Sequence, residues 1–368
     1  MDKQIFLFLA LIFTTNFAFT QSIDSIIIDT TLTDLELSFQ DSVAALNEEN
    51  ELFSSSRKAY NVALALFNNQ NFQEAIVNFN NAIVIDSAFS QAYFYRAKCY
   101  EESDNALAIL DYQKAFSLDS TNFSPLYSVA RIQALSDLEE AITTYHLINS
   151  YSNHESKAYY ELGVLFYLKD DIDEAIICFT NSISLSKDAR AFNDRASCYR
   201  ILDNNELAIK DYLTAIALNS NLAFIYNNLA STYRHQGDSV KALDYYSLAI
   251  DRDANYVLAY NNRGSLYLDL DDIENALNDI DMAISIDNDY APAYNNKGVT
   301  FHRQAKYIEA LDYFDRAIAL KNNYGKAYLN RGITRQMIRD EDGACNDWRR
   351  AKDLGIDVAN KYFSSDCN

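Results

Sequence analysis

The stretch APAYNNKGVTFHRQAKYIEALDYFDRAIALKNNY (residues 291–324) decides how the chain is read. Numbered from its first residue, it places Tyr294, Gly298 and Phe301 at positions 4, 8 and 11. Ala310, Phe314, Ala317 and Ile318 fall at positions 20, 24, 27 and 28. Spacings of three, four and seven put each group on one face of an α-helix, so the stretch predicts two amphipathic helices, A and B, joined by a short link. Small residues at positions 8 and 20 let the two backbones come within the ~8 to 10 Å of tight helix packing.

The same pattern recurs in both directions. Alanine pairs seven residues apart stand at Ala75 and Ala82, Ala208 and Ala215, Ala242 and Ala249, Ala276 and Ala283, Ala310 and Ala317, and Ala344 and Ala351, with a 34-residue period from Ala208 onward. Units begin at Ser56, Ser90, Phe123, Ser156, Ala189, Ala223, Val257, Ala291 and Gly325. They occupy 56–89, 90–122, 123–155, 156–188, 189–222, 223–256, 257–290, 291–324 and 325–355. Units two to four are each one residue short, and 123–155 follows the pattern least well. Asn71, Asp171 and Asp272 stand at position 16, where a side-chain oxygen is expected to cap helix B. Glu74 and Glu174, three residues later, complete a capping box in two of these units. Four of the eight glycines, Gly163, Gly264, Gly298 and Gly332, occupy position 8, which assigns glycine to close helix contact and not to cradling phosphate.

From about Ser56 to Gly355 the residues at positions 4, 7, 8, 11, 20, 24 and 27 closely resemble the tetratricopeptide repeat family. Departing from that family, Ser87, Ser120, Ser220, Ala254, Asn288 and Asn322 stand where it often has proline. The resemblance implies an all-α fold, a right-handed superhelical α-solenoid of tandem helix-turn-helix repeats in which helix A lines a concave groove. A single unit cannot bury its own apolar face, so stability must come from stacked neighbours and the ends need caps. Ile356 to Phe363 is expected to form a last helix over unit nine, within a C-terminal cap and tail at 356–368.

Composition narrows the function classes. With 52 acidic against 31 basic residues the net charge is -21, which disfavours nucleic acid and anionic lipid as partners. An apolar share of 49% suffices for a core and excludes wholesale disorder, while 8 Gly and 2 Pro are too few for a turn-rich β protein. Residues 1–20, with Lys3, an apolar run from Ile5 to Phe13 and small or polar residues to Thr20, read as a secretory signal peptide cleaved after Ala18 or Thr20. That run is shorter than the ~20 residues of a membrane span, and no cysteine nearby can accept a lipid. Residues 21–55 are polar and acidic and read as a tether or loose cap, with one short helix from about Ser42 to Phe53. The mature chain is therefore expected to be exported, to a periplasm or the extracellular space.

Two columns of residues are candidates for specific roles. Arg96, Arg195, Arg263 and Arg331 hold position 7, usually leucine in the family. Such a row reads either as a binding strip or as half of a set of ion pairs. Asp111, Asp211, Asp279 and Asp347 occupy position 23 of helix B in those same four units and in none of the others, so Arg–Asp bridges between helices A and B are expected. Asn228, Asn262, Asn296 and Asn330 stand at position 6 on the stripe of helix A away from the packed face, and Asn227, Asn261 and Asn295 at position 5 thicken it. A carboxamide carries both donor and acceptor, so a ladder of them can hold an extended peptide backbone, as related tetratricopeptide solenoids do. The alternative is that asparagine is simply common at position 6 in the family. Arg200, Arg234 and Arg303, at positions 12 or 13, lack a matched acid in the sequence pattern. They read either as solvated surface residues or as a basic end of the groove favouring an acidic segment or a free carboxylate.

The remaining signals are negative or weak. His146, His154, His235 and His302 show no zinc spacing, and Asp269, Asp271, Asp272 and Glu274 lack the glycine of a calcium loop. No nucleophile with a base, Gly-rich phosphate loop or CxxC is present, so neither a cofactor, a metal nor a catalytic site is expected. Of the 5 cysteines, Cys345 and Cys367 are placed to staple the C-terminal cap; Cys178 with Cys198 is a second possibility, and Cys99 and Cys198 read first as small core residues. The expected function is a non-catalytic scaffold or adaptor binding a peptide or protein segment. The alternatives are a self-associating structural solenoid and an accessory subunit of an enzyme complex.

Overall fold

The structure, a computed structural model, describes residues 27–151 and 155–367, with side chains from residue 37; the signal peptide read at 1–20 and His154 lie outside the described residues. Among the described residues there are nineteen helices and no strand. The chain divides into two compact units, Met1–Ile132 and Gln133–Asn368, the division falling inside the third repeat. The first unit holds α1 (Ile27–Asn68), α2 (Phe72–Ile85), α3 (Ser90–Tyr100), α4 (Asn105–Leu118) and α5 (Ser124–Gln133), whose last residue already belongs to the second. The second unit continues with α6 (Leu138–Tyr151), α7 (Ser156–Leu168), α8 (Ile172–Leu185), α9 (Ala189–Ile201), α10 (Asn205–Leu218), α11 (Ala223–His235) and α12 (Ser239–Arg252). It ends with α13 (Val257–Asp269), α14 (Ile273–Ile286), α15 (Ala291–Arg303), α16 (Tyr307–Leu320), α17 (Gly325–Met337), α18 (Glu341–Asp353) and α19 (Ala359–Asp366). Within each unit the helices pack as tandem antiparallel hairpins, with B helices also meeting the A helix that follows, which is the all-α solenoid arrangement. No helix among the described residues is long and apolar enough to cross a membrane.

The core is built from small residues of one helix seated on large residues of its partner. Ala75, Ala82, Ala208, Ala215, Ala242, Ala249, Ala276, Ala283, Ala310 and Ala317 are all fully buried. Between them position 24 contributes Phe79, Phe179, Tyr212, Tyr246, Ile280, Phe314 and Trp348, each almost wholly buried. The A-to-B link turns through a left-handed residue at position 15, which is Gln70, Asp170, Asp203, Asp271, Ala305 and Arg339 in six repeats and glycine only at Gly237. Asp171 and Asp272 then cap their B helices by accepting the backbone N–H of Glu174 and Asn275. Asn71, expected to do the same, makes no side-chain cap bond, so the capping box with Glu74 is not formed there.

Both ends differ from the sequence reading. Residues 21–55 were expected to carry a helix only from Ser42 to Phe53, but α1 runs unbroken from Ile27 to Asn68 and its last third, from Ser56, is helix A of the first repeat. No glycine or proline interrupts this stretch, and Phe39, Leu46, Phe53, Tyr60 and Phe67 recur every seven residues along it. Only the last part of that row is covered: Tyr60 packs on Phe79 and Phe89, with ring centroids 5.8 and 4.8 Å away. Phe39, Leu46 and Phe53 stay exposed. At the other end α19 starts at Ala359 and not at Ile356. Gly355 turns the chain with φ of 80°, and Ile356 fills the space beside Gly325 that a side chain there would need. Tyr362 stacks on Trp348 at 5.3 Å, and a Cys345–Cys367 disulfide with a Cα–Cα distance of 5.6 Å ties α19 to α18. Cys178 and Cys198 do not pair; like Cys99 they are free and buried, and burial pushes their thiols up to about 11 and about 12.

The four arginines of position 7 each form a two-pronged bridge to the aspartate of helix B in the same repeat. Nε and Nη2 donate to the two carboxylate oxygens at 2.6 and 2.6 Å in Arg96–Asp111, 2.7 and 3.0 Å in Arg195–Asp211, 2.7 and 2.8 Å in Arg263–Asp279, and 2.8 and 2.6 Å in Arg331–Asp347. The remaining guanidinium nitrogen, Nη1, reaches the preceding B helix: Asn80 at 2.6 Å, Thr180 at 3.1 Å, Ser247 at 2.8 Å and Asp315 at 2.6 Å. An aromatic ring at position 4 lies against each guanidinium, Tyr93, Phe192, Tyr260 and Tyr328 at 5.3 to 5.9 Å. Each arginine therefore joins three helices, which excludes the row from acting as a free binding strip. The aspartates raise the arginine pKa values against the opposing pull of burial.

Asp279→Ala should strand the guanidinium of Arg263 at a nearly dry helix interface, at a cost of about 3 kcal/mol. Because such arrays are stabilised by nearest-neighbour contacts, amide hydrogen exchange should accelerate in α13 and α14 and their neighbours while α7 stays protected. Unchanged exchange in α13 and α14 would show the bridge to be unimportant.

Candidate functional site: an asparagine chain ending on a carboxylate

The A helices α9, α11, α13, α15 and α17 present positions 5 and 6 side by side. Position 6 donates backward to position 5 of the preceding repeat: Asn330 Nδ2 to Asn295 Oδ1 at 3.0 Å, Asn296 to Asn261 at 2.9 Å, Asn262 to Asn227 at 3.0 Å and Asn228 to Asn193 at 3.1 Å. Within each repeat position 5 donates to position 6: Asn295 to Asn296 at 3.4 Å, Asn261 to Asn262 at 3.5 Å and Asn227 to Asn228 at 3.4 Å. Asn193 finally donates to Asp194 Oδ1 at 2.9 Å. The result is one directed chain of carboxamides from Asn330 to Asp194. Its position-5 members are buried at 4 to 6% exposure, whereas the position-6 members are half-buried. Position 5 is thus the support and position 6 the presented row.

Asp194 stands where the column of position-6 asparagines would place another carboxamide. It closes the chain because an ionised carboxylate only accepts. From its other side the Tyr160 hydroxyl, at position 5 of the preceding repeat, donates to Asp194 Oδ2 at 2.8 Å. Burial raises the Asp194 pKa against the pull of the Tyr160 and Asn193 hydrogen bonds and the Arg190 charge. Glu161, next to Tyr160, is also pushed up by burial, with Lys157 and Arg190 opposing. A cleft of 380 Å³ opens over Asp194, walled by Tyr160, Val164, Tyr167 and Leu168. Sequence reasoning passed over Asp194 and Tyr160 because it looked for asparagine alone, and over Asn193 because its repeat has no asparagine at position 6; the position-6 column with one aspartate in it was the available signal.

The predicted basic end of the face is not free. Arg234 forms an ion pair with Asp269 and donates to Ser265 at 3.1 Å, while Arg303 bonds the Leu268 carbonyl and faces Asp271 at 3.8 Å. Both acids sit on the repeat beside the arginine, a pairing that a search within one repeat could not find. Arg200 Nε is buried without a partner. The acidic run Asp269, Asp271, Asp272 is accounted for by these pairs and by the Asp272 helix cap. His302 Nδ1 lies 2.9 Å from the Thr334 hydroxyl and His235 3.6 Å from Asp203; among the described residues neither falls in a group of three or more potential metal ligands.

A tetratricopeptide-repeat profile matches residues 156–188, 189–222, 257–290 and 291–324, and a second one matches 211–244. This chain is a tetratricopeptide-repeat protein. No curated protein matches it in sequence. Among solved structures, this tetratricopeptide-repeat chain is similar to the APC/C hetero-tetramer Cut9–Hcn1, with a TM-score of 0.56 and 14% identity over 85% of this chain and 76% of that one. It is also similar to PilF of Pseudomonas aeruginosa (TM-score 0.49, 17% identity, 57% of this chain and 96% of that one). A third, YrrB, described as a tetratricopeptide-repeat protein with an unusual peptide-binding site, has a TM-score of 0.41 and 22% identity over 50% and 97%. At these identities the likeness concerns the fold.

Asn261→Ala removes the acceptor of Asn296 and the donor of Asn262 together. The loss should cost about 1 to 2 kcal/mol and speed solvent exchange of the Asn296 side-chain amide protons, read by NMR, more than those of Asn262, whose N–H still bonds Asn227. Undisturbed exchange would mean the carboxamides are not linked as described.

Proposed function

We propose that the protein is a non-catalytic scaffold that holds an extended peptide or protein segment along the A-helix face of repeats five to nine, outside the cytoplasm. The observation that carries this reading is the half-exposed position-6 row. Each of Asn228, Asn262 and Asn296 spends one N–H on the preceding repeat and receives one weak bond on its oxygen. That leaves one N–H and one lone pair per carboxamide for a partner, the complement of a peptide group. The buried row at position 5 holds these groups in place beforehand, which lowers the ordering cost of binding. Because the row offers the same chemistry at every step, it supports recognition of backbone and not of a particular side-chain sequence.

Crosslinking capture with the mature chain and with an Asn262→Ala, Asn296→Ala double variant tests this directly. Two neutral hydrogen-bonding groups are expected to be worth roughly tenfold in recovery. The same partners recovered at the same strength would remove the asparagine row from the binding surface.

Export rests on the sequence of residues 1–20 and is supported by the Cys345–Cys367 disulfide, since such bonds persist in oxidising compartments. Thiol titration of the denatured, unreduced protein from its native host should find three thiols, and five after reduction. Five thiols without reduction would argue for a reducing compartment.

A further inference from the structure

We infer that the cleft over Asp194 is a binding site for a cationic group, an alkylammonium or guanidinium, and, resting on the function proposed above, that it takes a lysine or arginine side chain of the segment held along the asparagine row.

Several independent features meet there. The cleft of 380 Å³ is of the size that encloses a small ligand group, and Tyr160, Val164, Tyr167 and Leu168 give it apolar and aromatic walls. Its polar side holds Asp194, its one charged lining residue, with Asn193, Ser197 and Asn228. A carboxylate offers about four lone-pair sites, of which Asn193 and Tyr160 fill two at 2.9 and 2.8 Å, leaving the others for the cleft. Asp194 forms no ion pair with a lysine or arginine among the described residues. Arg190, the cation whose charge it feels, is held by Asp188 at 3.1 Å and lies 5.7 Å from the Tyr160 ring. Arg195, next in sequence, is committed to Asp211. The carboxylate is thus half-buried, hydrogen-bonded by neutral donors only, and short of a positive charge.

The surroundings select the sign of the ligand. An anion would meet the Asp194 carboxylate and is disfavoured, the Arg190 guanidinium being held by Asp188, while a cation gains a charge-assisted hydrogen bond beside the Tyr160 and Tyr167 side chains. The net charge of -21 steers cations toward the molecule in the same sense. The row itself is aligned: every carboxamide from Asn330 to Asn193 donates in the direction of Asp194. A segment bound along it meets uniform backbone-binding groups in repeats six to nine and a single charged stop in repeat five. That stop supplies the direction and register that identical carboxamides alone cannot.

The test uses n-butylammonium chloride as probe, 1-butanol as its neutral counterpart, and Asp194→Asn as the variant. Asparagine is what repeats six to nine carry at this position, so the variant is expected to fold. Titrations followed by NMR at the Tyr160 ring should show saturable butylammonium binding in the parent, at least tenfold tighter than butanol, with that advantage lost in Asp194→Asn. Equal affinity for the two probes, or an advantage that survives the variant, overturns the cation site. A second arm separates this from the proposed function. Labelled heptapeptides of alternating glycine and serine carry lysine, norleucine or glutamate at the centre, and lysine should bind at least tenfold better than norleucine. Butylammonium binding without binding of any peptide would leave the cation site in place and remove the peptide reading. Equal binding of all three peptides would detach the cation site from the bound segment.

Discussion

In repeats four to nine a residue with little or no side chain at position 8 of helix A lies against a large buried side chain of helix B, at position 24. A Cβ on Gly163 would come within 2.6 Å of the Phe179 ring, one on Gly298 within 2.7 Å of Phe314, and one on Gly332 within 2.6 Å of Trp348. Where position 24 is tyrosine, position 8 is alanine, as in Ala196 with Tyr212 and Ala230 with Tyr246. The tyrosine hydroxyls there bond Ser197 and Ser231 at 2.9 and 3.0 Å, one residue beyond. This contact sets how near the two backbones lie, and everything else is built on that separation. Arginine reaches aspartate with both prongs at 2.6 to 3.0 Å in all four bridged repeats.

Regular spacing between hairpins also explains the asparagine chain. A carboxamide is short, so a donor at position 6 meets an acceptor at position 5 of the preceding repeat only if successive A helices keep one offset. The four inter-repeat bonds span just 2.9 to 3.1 Å. A closed chain of amides could run in either direction with equal energy, because each group donates and accepts. The carboxylate at its end removes that freedom. Asp194 can only accept, so Asn193 must turn its nitrogen toward it, and each following group is oriented in turn. One acidic side chain thereby aligns carboxamides as far away as the ninth repeat. Tyr160 completes the arrangement from the other side, again as a donor.

How much of this the sequence disclosed depended on whether both partners lay in one repeat. The Arg–Asp bridges were legible because positions 7 and 23 change together within a unit. The contacts of Arg96, Arg195, Arg263 and Arg331 with position 25 of the preceding B helix were not, since Asn80, Thr180, Ser247 and Asp315 share no residue type. The same reason hid Asp269 and Asp271 from Arg234 and Arg303, and turned a neutralised stretch into an apparent basic patch. Glycine was assigned correctly to close packing, yet the left-handed link falls on Asp170, Asp203 or Ala305, whose strain the hairpin contacts overrule. At the N-terminus, low hydrophobicity suggested a tether, but an unbroken helical register with a seven-residue apolar row carries α1 back to Ile27.

Lys297 shows that the two halves of the arginine arrangement are separable. It takes position 7 in repeat eight, where position 23 is Tyr313; its ammonium pairs with Asp281 on the preceding B helix at 2.7 Å and lies 4.9 Å from the Tyr313 ring of its own helix B. A point charge on a flexible stem makes one ion pair and one ring contact there, whereas the planar fork bonds both oxygens of an aspartate and a further group at once. Repeat eight therefore keeps its ionic tie to repeat seven, while Gly298 against Phe314, Phe301 against Tyr313 at 5.0 Å and the Lys297–Tyr313 contact close its own hairpin. The consequence reaches the presented face. Position 7 is consumed in both versions, and Arg234 and Arg303 pair with aspartates, so these basic side chains of the A helices are committed to structure. Beside them the A-helix face of this unit carries a neutral row of carboxamides with an acid at its end.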